Sequence, residues 1–589
     1  MRGRRLTALA AVLVGALLAG CGGLASSGPV RSGLEVGSGE SIELRQFFPG
    51  PQPGAGQEGI VLGFIRAGAA SDGAYETARR FLTASASEAW NPDRTLVLQS
   101  GDDAPTVTQV DPATVALTVR VAGTVSASGR YEAALPGTTV TSTFSLTSVN
   151  GEWRVDGLPE TFGRWIKRSD VPRLVRPFAV HYVSLSRRAT VPDVRWFPLD
   201  RLAARLARAQ IDPVPGFLQG AAVSAVPVGA RLLGDAVSVE NGVAEVNLIA
   251  GSLEPGQATR QNLWAQFVTT LTQDPAVSAV TLAVDGVPVD LDGVAGPVST
   301  LSRVGFPAPA PDTSTTKPVV RRGSEVSVFD PGANAQEQGR QAGPPTSDYP
   351  AVPEGYSHLA LSADGAELAA VDPDGDGVSR WRAGARSEVP GLGTRVSAPA
   401  YDRRGFLWVG AVRSSEDRLF VVDARSDASD EARAAPSPVV APWLQGRRVV
   451  EVRVAADGDR VAVLSTTMAG RSPRVDLAGI QRDEADRPQR LSAPLRLGVG
   501  FASARGLVWL DDQTLATVAA IRGADPRPTL LSVGGELTAL EEVDGALEVA
   551  TTGGERNLYV VTDEGRLFMR SGPRWVDSGP ADDLASAAG

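Results

Sequence analysis

The chain has 589 residues, 43% apolar, 6% aromatic and 21% charged, and 57 basic against 67 acidic side chains leave a net charge of −10. That length exceeds one ordinary core and predicts two to four packed units of roughly 100–200 residues, while the polar content excludes a channel buried in lipid. With Lys167 and Lys317 as its only lysines, the chain lacks the clustered basic charge that holds a phosphate backbone, so nucleic acid is not an expected partner. A single cysteine, Cys21, excludes an intramolecular disulfide, and two histidines, His181 and His358, exclude a multi-histidine metal cage.

Residues 1–20 read as an export signal: Arg2, Arg4 and Arg5 form a basic start, Leu6 to Leu18 an apolar run, and Leu18-Ala19-Gly20-Cys21 the end. The run is shorter than the about 20 residues a membrane helix needs. Its ending resembles the bacterial lipobox, which implies a diacylglycerol thioether and fatty acyl groups at Cys21. Two or three such chains, at about 0.8 kcal/mol per buried CH₂, would hold the protein on the extracytoplasmic face of the cell membrane. Residues 21–40 are rich in Gly and Ser and read as a flexible tether.

A first unit is expected over 41–175. Ile60, Phe64 and Ala67 recur at helical spacing; Tyr75, Ala78, Phe81 and Leu82 form a second such face after Ser-Asp-Gly at 71–73, giving two short helices. Strand-like runs follow at 106–110, 114–121, 138–146 and 153–155, with a turn at Asn150-Gly151. Helices before a curled sheet resemble the cone-shaped α+β fold of the nuclear transport factor and steroid isomerase type, which has a pocket between helix and sheet. Asp111 and Glu132, as isolated carboxylates, read as solvated surface groups, so this unit is taken as a binding or spacing module.

A second unit spans 176–300. Strands at 181–185 and 194–197 precede a helix with Leu202, Leu206 and Ala209 on one stripe. A strand ending at 242–248 is then followed by a longer helix with Leu263, Phe267 and Leu271 on one face, and a strand at 280–284 closes on the Asp285-Gly286 turn. The result is a small α/β sandwich. The Gly-x-Ala-x-Val-Asn-Leu strand, the helix bearing Gln266 with Thr270-Leu271, and Val-x-x-Val-x-Leu-x-Val-Asp-Gly at 277–286 resemble the domain of GerM-type spore-germination lipoproteins. Asn262, Gln266 and Asp285 are the candidate polar site here; the alternative is that the first two satisfy backbone or face solvent and Asp285 makes the turn.

Four prolines within 305–318 mark a semi-stiff linker. Over 319–583, strand pieces recur with turn glycines at Gly365, Gly405 and Gly458, spacing that fits the blades of a β-propeller, with six favoured. The strands around Val319-Val320 and 325–329 are expected to close the ring. Asp372, Asp374 and Asp376 alternate as calcium ligands do, but the full loop with a terminal bidentate Glu is missing, so a hairpin turn is the reading and no metal is assigned. Ser184 and Ser362 lack a nucleophile elbow, and no phosphate loop or dinucleotide fingerprint occurs. No catalytic or cofactor-binding residue follows, and the chain is not expected to be an enzyme.

The order of these units, with Gly151-Glu-Trp-Arg-Val155, Leu158-Pro159, Val191-Pro-Asp-Val-Arg-Trp196 and Ala265-Gln266, resembles the actinobacterial LpqB lipoprotein family over nearly the whole chain. The resemblance implies an accessory lipoprotein that binds the extracytoplasmic region of a membrane sensor histidine kinase and so affects envelope homeostasis and division. A solute, peptide or cell-wall-fragment receptor is the second expectation, and an envelope hydrolase the third.

Overall fold

The computed structural model describes residues 48–587 other than 70–73, 187–188, 236, 252–255, 295, 308–315, 331–348, 415–417, 426–433 and 522. The export signal, Cys21, the tether over 21–40 and the turn at 71–73 therefore lie outside the described residues, as does most of the proline-rich linker.

In the first domain, the helix Gln57–Ala69 buries Ile60, Val61, Phe64, Ile65 and Ala67, with Glu58 in its first turn and Arg66 in its last to complement the helix dipole. The second apolar face is also buried, but its helix is a single turn, Glu76–Arg79, entered through Tyr75 at φ 63°. Thr83 then caps a third helix, Ala84–Ala89, accepting the Ala86 N–H. The long strand Thr114–Ser126 organises the sheet. Its first half pairs with Thr106–Asp111 and Thr139–Val149, and its second half with Thr95–Gln99 and Tyr131–Ala133. Changing partners along one strand curls the sheet around the helices. The interior is filled by rings: Phe64 meets Trp90 at 5.0 Å and Phe162 at 5.8 Å, and Phe144 meets Phe162 at 5.1 Å. Side chains thus occupy the space where this type of fold can hold a pocket.

The second domain has two sheets. Val175–Ser184 pairs antiparallel with Thr190–Pro198, and Val243–Ile249 pairs parallel with Ala279–Val284. A parallel pair needs a crossover, and the helix Gln257–Leu271 supplies it, burying Leu263, Trp264, Phe267, Val268 and Leu271. Phe306, beyond the expected end of the domain, is buried in the same core.

Six sheets follow. Five have four or five strands and begin with the inner strands Ser357–Leu361, Ala400–Tyr401, Arg447–Val454, Phe501–Trp509 and Ala546–Thr551. The sixth joins both ends of the ring: Val319–Arg322 pairs with Glu325–Val328 on one side and with Asp583–Ala585 on the other. Taking its inner strand from the far end of the chain closes the ring and leaves only short outer edges, which is why the closing strand continues to Ala585.

The domains do not hang as separate beads. Phe48–Gly589 is one compact unit, and a single apolar cluster runs from Val180 and Phe267 of the second domain to Leu464, Leu477 and Leu515 of the propeller. Gly479 lies against Ala221 and the Phe217 carbonyl, so close that a Cβ there would stand 2.7 Å from the Ala221 side chain. Beside it, the Ser492 hydroxyl donates to the Phe217 carbonyl at 2.5 Å and accepts the Gly479 N–H at 2.8 Å. The Trp196 indole reaches the Gly534 carbonyl at 2.9 Å. On its other side, Trp196 stacks on Tyr131 of the first domain at 5.2 Å, where Arg130 and Arg195 both grip the fully buried Asp193.

Candidate functional site

A concentration of ionisable groups lies on the propeller axis. His358, Glu451 and Glu548 each sit at a pairing irregularity in an inner strand: between Ser357 and Ala360, between Val449 and Glu451, and between Ala546 and Glu548. A bulge re-aims a side chain that would otherwise follow the alternation of the strand, and here it turns three polar groups toward the centre. Asp583 enters from the closing strand and Arg321 from its neighbour, the two being register partners.

The geometry is one of mutual neutralisation. The Arg321 guanidinium holds Asp583 at 2.5 and 2.6 Å, while the other Asp583 oxygen accepts the Leu359 N–H at 3.4 Å. Glu451 accepts the Leu507 N–H at 2.7 Å and lies 3.3 Å from Arg453. His358 Nδ1 is 3.8 Å from Glu548, too long for a direct hydrogen bond but close for a charge pair. Burial alone would lower the His358 pKa, yet Glu548, Glu451 and Asp583 together raise it to about 9. Burial pushes Asp583 upward, reinforced by Glu548 and opposed by Arg321, to about 6. Burial also raises Glu451, whereas the His358 charge outweighs burial at Glu548 and lowers it. The His358 side chain is nonetheless 46% exposed. Its φ of 56° places a non-glycine residue in the left-handed region, a cost held in place by the bulge and the ring of charge. The adjoining cavity, bordered by Tyr401, Arg453 and Glu548, measures about 50 Å³, room for a water or two rather than a sugar. The cluster can hold charge and bind water.

A larger concavity, about 470 Å³, lies between the first two domains and is bordered by Asn91, Asp93, Trp196, Arg205 and Arg208. Asp93 is shared there by Arg164 at 3.1 Å and Arg205 at 2.7 Å.

The residues singled out in the sequence scatter. His181 is buried in the second domain beside Thr270, 3.5 Å away, and burial together with the Arg460 charge drives its pKa down to about 3, so it is neutral. Gln266 is fully buried and satisfies backbone: it accepts the Ala225 N–H at 2.6 Å and donates to the His181 carbonyl at 3.3 Å. Asn262 is buried on the same helix, whereas Asp285 makes the turn at φ 51° and accepts the Ala250 N–H. These three do not converge on one site. Asp372 accepts from Ser379 and Asp376 from the Arg395 N–H, so the hairpin uses their oxygens separately. Asp111 caps its own turn at Ala113, Ser362 bonds Asp364, and Ser184 meets Ser186. Glu132 lies exposed on the short strand Tyr131–Ala133. Of all these residues, only His358 belongs to the axial cluster, and its partners were not anticipated. A usable signal exists: His358-Leu-Ala and Asp583-Leu-Ala, and Val450-Glu-Val and Leu547-Glu-Val, each place one charge inside an apolar inner strand.

Comparison with known proteins follows the same order of domains. The family model for the lipoprotein LpqB N-terminal domain matches residues 50–172, that for sporulation and spore germination 180–290, and that for the lipoprotein LpqB β-propeller domain 336–583. Lipoprotein LpqB of Thermobifida fusca is 28% identical over 78% of this chain and 79% of its own length, and lipoprotein LpqB of Streptomyces coelicolor is 27% identical over 97% and 96%. Among solved structures, TolB from Acinetobacter baumannii is 15% identical over 53% of this chain and 84% of its own, with a TM-score of 0.32.

Proposed function

Because this chain belongs to the actinobacterial LpqB lipoprotein family, we propose that it is a lipid-anchored, noncatalytic accessory protein of the cell envelope that docks on the extracytoplasmic region of a membrane sensor kinase and biases its signalling. The anchor is Cys21, acylated as the lipobox implies; among the described residues no helix is long and apolar enough to cross a membrane. The observation that supports the reading best is that one apolar cluster and the Ser492 contact fuse the second domain to the propeller, while Trp196 and Asp193 tie the first domain to them. Such a body offers a partner one fixed composite surface, so binding energy is not spent ordering domains. The polar axis fits this role, since its charges are largely paired and its cavity is small.

To regulate, the protein must bind the kinase's signalling states unequally, because equal affinity shifts neither population. The test is binding of soluble residues 24–589 to the kinase's extracytoplasmic region, paired with regulator phosphorylation in cells with and without the protein. Saturable binding and an altered phosphorylation time course are expected; no binding, in solution or in a reconstituted membrane, would sink the reading. A second reading, a solute or cell-wall-fragment receptor, rests on the concavity between the first two domains, whose size suits a small ligand. Native mass spectrometry of protein from its own cells would reveal a retained glycan or peptide, and consistently ligand-free protein would remove that reading.

A further inference from the structure

One end of the third blade carries arginines that its carboxylates do not match. Arg447 opens the inner strand Arg447–Val454, Arg474 opens Arg474–Arg482, and Arg496 lies opposite Asp476 in the outer strand Leu495–Leu497. Arg471 stands exposed in the hairpin between them. The Arg447 guanidinium donates to the Ser465 hydroxyl and to the carbonyls of Ser465 and Ser472 at 2.8–2.9 Å, so the hairpin orients its charge without neutralising it. The carboxylate among these groups is Asp476, 1% exposed. Arg474 Nε and Arg496 Nε lie 3.4 and 3.7 Å from its oxygens, and neither oxygen, nor Arg474 Nε, has a hydrogen-bond partner. Burial first, then the adjacent charges of Arg474 and Arg496, partly offset by Asp476, lower the pKa of the Arg447 guanidinium. In a chain of net charge −10, several guanidiniums held together around one buried carboxylate form an acceptor for further carboxylates.

The surroundings choose between occupants. On the same end of the ring, the acidic hairpin with exposed Asp374 and Asp376 borders the arginines: Asp376 accepts the Arg395 N–H at 2.7 Å, and the Arg395 guanidinium donates to the Met468 carbonyl at 3.1 Å. A flat anionic bilayer laid on this end would meet those carboxylates as well and be repelled. A narrow chain can follow the arginines and avoid them. We propose that Arg447, Arg471, Arg474 and Arg496 form a docking surface for an acidic polypeptide segment of a partner protein. This goes beyond the kinase reading and does not depend on it, since any partner presenting consecutive carboxylates would be recognised in the same way.

The test uses the full chain and a short fluorescent polyglutamate peptide, read by anisotropy at low and physiological salt. Saturable, salt-sensitive binding is expected, weakened about tenfold in the double variant R471E/R496E. Arg496 also faces the buried Asp476, so the folding control is R471E alone: this exposed reversal should keep the melting temperature of the unaltered protein and still weaken binding about threefold. R574E, an exposed reversal on the fifth blade, should bind as the unaltered protein does. No saturable binding at low salt, or an equal loss in R574E, would overturn the proposal. Phosphatidylglycerol vesicles that bind where the peptide does not, through the same arginines, would overturn it in favour of a membrane contact.

Discussion

The first domain and the propeller both curl β structure around a central space, and they close that space by opposite means. In the first domain, a curled sheet and three helices converge on Phe64, Trp90, Phe144 and Phe162, whose rings exclude water. In the propeller, six inner strands leave an axis that short apolar side chains do not span, and bulges turn His358, Glu451 and Glu548 into it, with Arg321 and Asp583 completing the charge. Apolar closure depends on area and fit, and is indifferent to pH and salt. Ionic closure depends on every partner being present and in its charge state. The same protein should therefore contain one centre that only truncation disturbs and another that protonation also disturbs.

The largest effect expected is from Phe64→Ala, which opens a cavity amid three rings. It should cost about 3–5 kcal/mol, measured by urea unfolding, with the same loss at low and high salt; a strongly salt-dependent loss would contradict the comparison. Arg321→Met leaves Asp583 buried without its counter-charge and should cost roughly 3 kcal/mol. A loss below about 1 kcal/mol would mean that water in the axis already screens the pair. Gly479→Ala probes the joint between domains: the added methyl would overlap Ala221 and the Phe217 carbonyl, an overpacking cost of about 1–3 kcal/mol. Because the core is shared, the unfolding curve should shift as a single transition; a new early step confined to one domain would show the joint to be dispensable.

The smallest effect is in pH dependence, and its sign is determined. His358 holds its proton more tightly when folded, its pKa rising from 6.5 to about 9. Its stabilising contribution is complete below pH 6.5 and is lost as pH rises through 9. Asp583, raised from 3.8 to about 6, acts in the same direction at lower pH, since the folded state binds the extra proton and gains stability as pH falls from 6 toward 3.8. The urea midpoint should thus decline between pH 6.5 and 9, and His358→Gln should flatten that decline. An unchanged slope in the variant would remove His358 from the axial balance.

Much of the architecture was legible because it is local. The helical faces of Ile60, Phe64 and Ala67 and of Leu263, Phe267 and Leu271, and the blade hairpins at Gly365, Gly405 and Gly458, each follow from spacing within a few residues. Three strands of the first domain, Thr95–Gln99, Tyr131–Ala133 and Arg164–Ile166, escaped notice; they are short, and their pairing with Thr114–Ser126 and with one another supplies what their own composition does not. His358 read as a lone histidine because Glu548 and Asp583 approach it only when the ring closes.

What the sequence determined by itself was the order of the domains, the blade-like repeats, the lone Cys21 after an export-like start, and the absence of any compact catalytic motif. These depend on residue type and short spacing. The tertiary structure alone decided that the first domain's interior is filled, that Gln266 serves backbone rather than ligand, that the second domain and the propeller share one core, and that charges from distant strands meet on the propeller axis. Those outcomes depend on which surfaces come together, and the free energy of burying an ion or a ring is set by neighbours that lie far along the chain.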